Sequence, residues 1–322
     1  MTRARRAFLA LFALTFAALA GPASAQFPDR LLRLVVPFPP GGATDVMGRI
    51  LARKMGEILG KTVVVENHPG AGGTIGTDFA ARQPGDGYTL LLVNAIPHTA
   101  SRSLYPTLKY DPVKSFTPIG ALGLIRYILV VNNDVPAQDY AQFVAYAKAN
   151  PGKLNFASAG VGSAPHLAME LWLRAAGVDM LHVPYAGSGP AMTDLMGGRV
   201  QAAMDNVGAA PHIKAGKLRA LAITGANRAP AFPQIPTFAE VGLPSYDVSG
   251  TWGLIAPANV PDATVKILSD ALAKTIADPE VRDALVAQGI EPVYAGAADY
   301  GAVLVRELDK WTRLIDQAKI KL

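Results

Sequence analysis

Short β-rich runs alternate with helical runs along this chain, and this alternation restricts the fold more than any other feature of the sequence. The run at 31–36 is apolar and β-rich, and apolar residues then recur at helical spacing over 46–59. A strand at 63–65, a short helix at 75–82 and a strand at 88–93 follow. Repeated βαβ units predict a parallel sheet that is covered by helices on both faces.

The same alternation restarts near residue 127 and predicts a second sheet. The later strands are expected at 127–131, 154–157, 180–183, 200–204 and 218–223, with helices at 138–149, 164–176, 191–196 and 209–215 between them. The proline-rich stretch 228–244 is typical of a surface connection, after which a strand at 251–256 precedes a mostly helical end.

This organisation predicts an α/β protein of two lobes. Residues 26–125 and 246–322 would form lobe 1 and residues 126–245 lobe 2, so that two segments of chain cross between them. An amphipathic pattern over 303–319 predicts a final helix that packs on lobe 1. Ligands of open α/β sheets bind beyond the carboxyl ends of the strands, so we expect a ligand-binding cleft between the lobes.

The start of the chain is typical of a secretory signal peptide. Three arginines precede an apolar run at 8–20, and the small residues Ala23-Ser24-Ala25 close it. The run is too short for a spanning helix, although a retained N-terminal anchor is the alternative. We expect residues 1–25 to be removed by cleavage between Ala25 and Gln26, with the mature protein in the periplasm. The chain contains no cysteine, which excludes a lipid anchor on a mature N-terminal cysteine.

Charge and residue types argue against several classes of protein. The formal charge of the chain is +5, and it falls to +2 without residues 1–25, which carry three arginines and no acidic residue. A charge this small argues against nucleic-acid binding, and the lysines do not form a basic stripe with aromatic residues between them. The histidines at 68, 98, 166, 182 and 212 have no metal-ligand spacing and no accompanying acidic cluster. We therefore expect neither a metal site nor a cofactor.

Two glycine-rich turns without lysine or arginine lie between predicted strands and the helices that follow them. They are Pro39-Pro40-Gly41-Gly42-Ala43-Thr44-Asp45 and Gly70-Ala71-Gly72-Gly73-Thr74. Glycine allows the backbone to approach a ligand closely, and a helix start directs unpaired N–H groups and a positive dipole end into the gap. The first turn therefore predicts a site for a small anion, held by the amides of Gly42, Ala43 and Thr44.

The alternative for the first turn is a purely structural cap of the helix that follows. We expect this structural role for Asp45, because an acidic side chain that faced an anion would repel it. The second turn is expected to be structural as well, although it can still line the wall of the cleft.

Four longer motifs include these turns and two later segments. They are Val36-Pro37-Phe38-Pro39-Pro40-Gly41-Gly42-Ala43-Thr44-Asp45 with Arg49, Val65-Glu66-Asn67-His68-Pro69-Gly70-Ala71-Gly72-Gly73, Gly160-Val161-Gly162-Ser163 with His166-Leu167, and Val183-Pro184-Tyr185 with Gly187. Together they resemble the Bug family of periplasmic solute-binding receptors, which are associated with tripartite tricarboxylate transporters. The resemblance implies a two-lobed, type II-like Venus-flytrap fold that captures a small carboxylate without catalysis. It also implies a monomer whose partners are membrane transporter subunits and whose ligand is a dicarboxylate, an amino acid or an aromatic acid.

Lobe 2 carries candidate contacts in its own loops. Ser163 is the expected N-cap of a helix with Pro165 in its first turn, so that neighbouring amides can face a ligand. His166 is either structural or a neutral hydrogen-bond donor. Tyr185 either covers the ligand or packs under its loop, and the resemblance favours the cleft. Asp205 either accepts from a ligand ammonium group or caps a following helix.

The predicted ligand-binding set draws on loops of both lobes. It consists of Phe38, Gly41, Gly42, Ala43, Thr44, Asn94, Ala95, His98, Ser158, Gly160, Gly162, Ser163, His166, Tyr185 and Asp205. By analogy with the family, Phe38, residues 94–98 and Asn206 are expected to determine which acid is bound.

Two other functions stay open at this level. A receptor that signals to a sensor kinase would share every feature above. An α/β hydrolase would need a G-x-S-x-G nucleophile elbow, which is missing, and a dehydrogenase would need a glycine where Ile75 stands in the second turn. The alternative to anion binding by amides is an anchoring basic side chain, for which Arg126 is the candidate.

Overall fold

Two β-sheets with helices packed on them make up the protein. The computed structural model describes residues 27–205, 209–246, 248–318 and 320. The predicted signal peptide with its cleavage site, and Asn206, lie outside the described residues. Within the described ranges, no helix has both the length and the apolar character needed to cross a membrane.

Most elements follow the predicted alternation, and a helix at Ala95–Leu104 and a strand at Phe116–Ile125 occur in addition to it. In chain order the strands are β1 (Leu32–Val36), β2 (Val63–Asn67), β3 (Thr89–Asn94), β4 (Phe116–Ile125), β5 (Ile128–Val131), β6 (Asn155–Ser158), β7 (Leu181–Pro184), β8 (Ala202–Asp205), β9 (Arg219–Ile223), β10 (Gly250–Pro257) and β11 (Ile290–Glu291). The helices are α1 (Ala43–Leu59), α2 (Thr74–Ala81), α3 (Ala95–Leu104), α4 (Tyr140–Ala149), α5 (Ala164–Ala176), α6 (Ser188–Met196), α7 (Ala210–Lys214), α8 (Asp262–Ala277), α9 (Pro279–Ala287) and α10 (Ala297–Ala318), with a 3₁₀ turn at Ala71–Gly73.

The strands of the βαβ units pair in parallel, as predicted, but both sheets are mixed because each also contains antiparallel strands that the prediction of a parallel sheet did not include. The first sheet has the order β11-β4-β10-β3-β1-β2, and β1 pairs in parallel with β2 and β3. The second has the order β7-β6-β8-β5-β9, and β6 pairs in parallel with β7 and β8. The antiparallel pairs arise where the chain changes sheets: β5 lies antiparallel between β8 and β9, and β10 returns antiparallel between β3 and β4.

The first strand shows why the first sheet is buried on both faces. Successive strand residues point to opposite sides. Leu34 and Val36 join a core cluster with Met47 of α1, whereas Val35 belongs to a separate cluster with Tyr300 of α10. Burial of each of these aliphatic side chains contributes about 1.5–3 kcal/mol, which explains the continuous apolar run in the sequence.

The final helix packs on the first sheet, as predicted. Trp311 and Ile315 of α10 are buried, and the helix contacts α3 and β4. The end of the chain therefore covers one face of the sheet that β1 begins.

Two segments connect the sheets, one between β4 and β5 and one between β9 and β10. They are joined to each other where they cross: the Tyr127 amide donates to the Thr224 hydroxyl at 2.9 Å, and the Ser249 hydroxyl donates to the same oxygen at 3.4 Å. We refer to the part built on the first sheet as lobe 1 and to the part built on the second as lobe 2. The exact bounds of the lobes stay a prediction.

Candidate functional site

A cavity of about 360 Å³ lies between the two sheets. It is lined by loops and strand ends from both sheets, where ligands of α/β proteins gather. The lining residues are Phe38, Pro39, Pro40, Gly41, Gly42, Thr44, Asn94, Pro97, Ile125, Tyr127, Ala159, Ser163, Ala164, Pro165, Ala186, Gly187, Ser188, Gly189, Pro190, Asp205 and Trp252. Among these described residues Asp205 is the only one with a carboxyl group, and none is lysine, arginine or histidine.

The start of α1 forms one wall of the cavity. Gly42 is its N-cap, with φ −77° and ψ 166°, and no side chain caps the helix. The first amides of a helix have no partner inside it, so this end can donate to a ligand. A Cβ added at Gly42 would meet only the Pro39 carbonyl oxygen, at 3.5 Å. The residue with positive φ in this turn is Gly41, at +77°. Gly42 has a negative φ, so its lack of a side chain matters because it keeps the space in front of the amides open.

Asp45 holds the first loop in shape and does not line the cavity. Its carboxylate is buried and accepts hydrogen bonds from the Gly41 amide at 2.9 Å, from Arg49 at 2.9 and 3.0 Å, and from the Asn67 amide group at 3.0 Å. Burial acts to raise the pKa of this carboxyl, but the hydrogen bonds from Arg49, Gly41 and Asn67 outweigh it and lower the pKa below its usual value. Asn67 also donates to the Phe38 carbonyl at 3.0 Å. The structural role expected for Asp45 agrees with these contacts.

A second polar group lies where β3 meets α3. The side chain of Asn94 caps α3 by accepting from the Ile96 amide at 3.0 Å, and it donates to the Tyr127 hydroxyl at 2.7 Å. Burial raises the pKa of Tyr127 far above its ordinary range, so its hydroxyl is neutral and keeps a proton to donate. Both residues line the cavity.

In lobe 2 the start of α5 lines the cavity. Ser163 is the N-cap, as predicted, but its hydroxyl donates to the Gly160 carbonyl at 2.6 Å and does not cap the helix. The amide N–H groups of the first turn can therefore bind another partner. Pro165 is the exception, because proline has no amide N–H.

His166 supports this loop from behind. Its Nδ1 accepts from the Gly162 amide at 3.2 Å, and its ring stacks on His182 with 4.1 Å between the centroids. Burial and the neighbouring His182 lower the pKa of His166 to about 4, and burial lowers the pKa of His182 to about 4. Both rings are thus neutral at pH 7. His166 acts as an acceptor toward its own loop, which fits the structural alternative for this residue.

The start of α6 is the third helix start that lines the cavity. Gly187 is its N-cap, at φ 139° and without a side-chain cap, and residues 186–190 line the cavity. Tyr185 points elsewhere, because its hydroxyl donates to Asp194 at 2.8 Å. The structure therefore replaces Tyr185, as a candidate contact, by the backbone of residues 186–190.

Asp205 ends β8, is buried, and lines the cavity. This position agrees with the expectation that it lies where ligands gather. The helix cap that was its alternative role depends on residues 206–208, which lie outside the described residues.

The structure brings about half of the predicted set to the cavity. Phe38, Gly41, Gly42, Thr44, Asn94, Ser163 and Asp205 line it, and Ala43 begins α1 between Gly42 and Thr44. Ala95, His98, Ser158, Gly160, Gly162, His166 and Tyr185 do not line it.

Two of the residues outside the cavity are held by protein groups. His98 is buried in the core of lobe 1, where its Nε2 donates to the Pro112 carbonyl at 2.7 Å and burial lowers its pKa to about 4. The Ser158 hydroxyl lies 2.6 Å from Nε2 of His182. Both side chains have partners within the fold, so the structure does not bring either of them to the cavity as the predicted set expected.

Sequence reasoning missed several lining residues. Ile125, Tyr127 and Trp252 come from segments that carry no glycine-rich turn, whereas Pro97 lies in the range 94–98 that was expected to select the ligand. The lining residues 188–190 do carry a sequence signal, since Ser188-Gly189-Pro190 has the pattern of a glycine-rich helix start with proline in the first turn.

The arrangement suits a small anion. In the described part of the chain, the starts of α1, α5 and α6 meet at one cavity, and each supplies amides and a positive dipole end. Arg126 is engaged elsewhere, because it donates to Glu291 at 3.0 Å and to the Asn227 carbonyl. No group of three or more histidine or acidic side chains suited to a metal ion occurs within the described residues.

Comparison with known proteins gives consistent matches. A protein-family model described as "Tripartite tricarboxylate transporter family receptor" matches residues 47–320. The protein BugT of Bordetella pertussis is 38% identical over 309 residues, which cover 95% of this chain and 95% of that protein.

Two solved structures share the fold and carry carboxylates. A protein of R. palustris solved with adipate is 32% identical, has a TM-score of 0.87, and is matched over 92% of this chain and 100% of its own. MatC from Rhodopseudomonas palustris, solved with bound malate, is 33% identical, has a TM-score of 0.85, and is matched over 90% of this chain and 100% of its own.

Proposed function

Because the chain belongs to the tripartite tricarboxylate transporter receptor family, we propose that it captures a small carboxylate in the cavity between its two sheets. Proteins of this family are periplasmic solute-binding receptors and not enzymes. The observation that carries the proposal is the meeting of three helix starts at a cavity whose described lining contains no lysine or arginine. Amide N–H groups and the positive ends of helix dipoles can stabilise the negative charge of a carboxylate there without an ion pair.

The expected strength of binding follows from the number of amides. Each charge-assisted hydrogen bond to a carboxylate contributes about 1.5–3 kcal/mol in a dry site. Micromolar affinity needs about 8 kcal/mol, so three or four such bonds suffice after the cost of ordering the ligand. The loops that start α1 and α5 supply them from opposite lobes.

The ligand class follows from the size and polarity of the cavity. A volume of about 360 Å³ lies at the lower end of ligand pockets and suits a molecule of a few carbons. Relatives solved with adipate and malate support a short aliphatic acid. Tyr127 and Asn94 are placed to meet its polar groups, and the apolar surfaces of Phe38 and Trp252 to meet its carbon chain.

The cellular role is inferred from the family and from the start of the sequence. The leader at 1–25 would direct the chain to the periplasm, where the mature monomer would deliver its ligand to membrane transporter subunits.

A thermal-shift screen followed by calorimetry tests the proposal. The panel contains mono-, di- and tricarboxylates, amino acids and aromatic acids, with the amides of the same acids as uncharged controls. An acid present at 100 times its Kd adds about 2.7 kcal/mol of stability, which for a chain of this size raises Tm by about 4 °C. Stabilisation by an acid and not by its amide supports the proposal. Equal shifts with both, or no shift across the panel, would contradict it.

A further inference from the structure

The second glycine-rich turn, which does not line the cavity, touches lobe 2. Gly72 lies in the 3₁₀ turn Ala71–Gly73 with φ 64° and ψ 15°. A Cβ added to it would lie 2.8 Å from the Val161 carbonyl oxygen and 3.1 Å from the Tyr105 hydroxyl oxygen. Val161 belongs to the loop that leads into α5, so this turn of lobe 1 lies against the opposite lobe.

Tyr105 makes the same connection from the end of α3. Its hydroxyl lies 3.4 Å from the Val161 carbonyl oxygen, and a Cβ added to Gly162 would come within 2.8 Å of it. The two glycines therefore allow a contact that no larger residue would fit. Burial raises the pKa of Tyr105, so the hydroxyl is neutral and can donate.

This contact lies far from the segments that connect the sheets. α3 begins next to Asn94, which is bonded to Tyr127 in the first crossing segment. Ten helical residues at 1.5 Å each separate Asn94 from Tyr105, or about 15 Å. The lobes thus meet at the crossing segments, next to the start of α3, and again at the far end of the same helix.

We propose that Gly72 and Tyr105 form a latch with Val161 and Gly162 that determines how tightly and how long the receptor stays closed on its ligand. This inference rests on the proposed function and adds affinity-determining residues that touch no ligand. A contact between lobes so far from the crossing segments is lost when the lobes separate. Its free energy therefore favours the closed state and contributes to affinity by shifting that population.

The latch is connected to both walls of the cavity. On the side of lobe 1, a Cβ added to Gly73 would lie 3.7 Å from the ring of Phe38, which lines the cavity. On the side of lobe 2, Gly162 is followed by Ser163, which also lines it. Closing the latch thus places both walls around a ligand.

The test is the Gly72→Ala variant with Gly60→Ala as its matched control. Gly60 has φ 67° and ψ 20°, nearly the conformation of Gly72, and an added Cβ there meets nothing within 4 Å. Both variants therefore carry the same backbone strain, but only Gly72→Ala places a methyl group against the opposite lobe. The readouts are the Kd and dissociation rate of the tightest-binding carboxylate and the Tm of the ligand-free protein.

We expect Gly72→Ala to raise the dissociation rate and the Kd at least tenfold relative to Gly60→Ala, with equal Tm values for the ligand-free proteins. Tyr105→Phe, which keeps the ring and removes only the hydroxyl, is the second variant and should raise the Kd about 2- to 10-fold. Equal Kd values and dissociation rates for the Gly72→Ala and Gly60→Ala variants would overturn the latch. If Gly72→Ala does not fold, an unchanged Kd in Tyr105→Phe would overturn it.

A distance measurement separates failure of the latch from failure of the proposed function. The chain has no cysteine, so Ala263→Cys in lobe 1 and Lys153→Cys in lobe 2, both exposed, accept spin labels uniquely. The latch predicts a closed population that Gly72→Ala reduces and Gly60→Ala keeps, with or without ligand. Identical distance distributions in the two variants would overturn it. A wild-type protein that binds no acid would overturn the proposed function alone.

Discussion

Replacing Asp45 with asparagine should destabilise the protein far more than its small change in structure implies. The Asp45 carboxylate accepts from Gly41, Arg49 and Asn67, and its side chain is only 3% exposed. Asparagine has the same shape, but its NH₂ group must face one of these donors. At least one buried donor is then left without an acceptor, which costs about 1–3 kcal/mol, and the charge-assisted bonds to Arg49 weaken.

The total comes to about 2–3 kcal/mol, because Arg49 is 56% exposed and water compensates part of its loss. For a chain of this size the Tm should fall by about 3–5 °C. Asp78→Asn is the matched control, since Asp78 also pairs with an arginine four residues away, Arg82, but at a more exposed site. It should cost no more than about 1 kcal/mol.

The loss of stability in the Asp45→Asn variant should also depend on pH. The folded-state pKa of Asp45 lies below its unfolded value, so its stabilisation is present above the unfolded pKa and is lost as pH falls through the folded one. Chemical denaturation at several pH values should give the largest difference between wild type and Asp45→Asn near pH 7 and a shrinking one below about pH 4. Equal stabilities at pH 7, or a difference that persists undiminished to pH 3, would refute the role assigned to Asp45.

Three further predictions concern binding. Gly42→Val should fold normally, because its Cβ meets only the Pro39 carbonyl oxygen at 3.5 Å, but it should weaken carboxylate binding at least about tenfold in calorimetry by filling the space before the amides. His166→Leu, which removes the acceptor for the Gly162 amide, should weaken binding about tenfold by titration, whereas His166→Asn, which keeps an acceptor, should restore most of it. The Kd of wild type should change less than about threefold between about 0.05 and 0.5 M salt, because fixed dipoles in a closed cavity are screened little, and a steep loss would indicate an unrecognised basic anchor.

The parts of the fold that could be predicted are those with strong local signals. α5 was predicted to the residue because Ser163 and Pro165 mark its start, and Gly177 ends it in the left-handed conformation. α3 and β4 were not predicted. α3 has Pro97 in its first turn and few large apolar residues, and β4 contains Pro118 and two glycines.

The β4 glycines are explained by packing that the sequence does not reveal. A Cβ at Gly120 would lie 2.8 Å from the Ala295 carbonyl oxygen, and one at Gly123 would lie 2.6 Å from the Ile290 side chain. Close approach by segments more than 160 residues away requires glycine here, so local strand propensity could not identify the strand.

The sequence predicted the parts of the candidate site that are formed by the backbone. It did not predict the parts that depend on the direction in which a side chain points. The glycine-rich helix starts at Gly42 and Ser163 do line the cavity. His98 and Tyr185, which were placed at the ligand by the family resemblance, turn toward Pro112 and Asp194 instead. No local sequence pattern predicts these side-chain directions. Trp252 enters from β10, whose place beside β3 follows only from the complete topology.

A crystal structure with the tightest-binding carboxylate tests the central claim most directly. We predict that the carboxylate oxygens lie about 2.7–3.2 Å from amides at the starts of α1 and α5, directly or through one water molecule, with no lysine or arginine side chain in contact. A carboxylate bound to a guanidinium or ammonium group, or a ligand held outside the cavity between the sheets, would contradict the account.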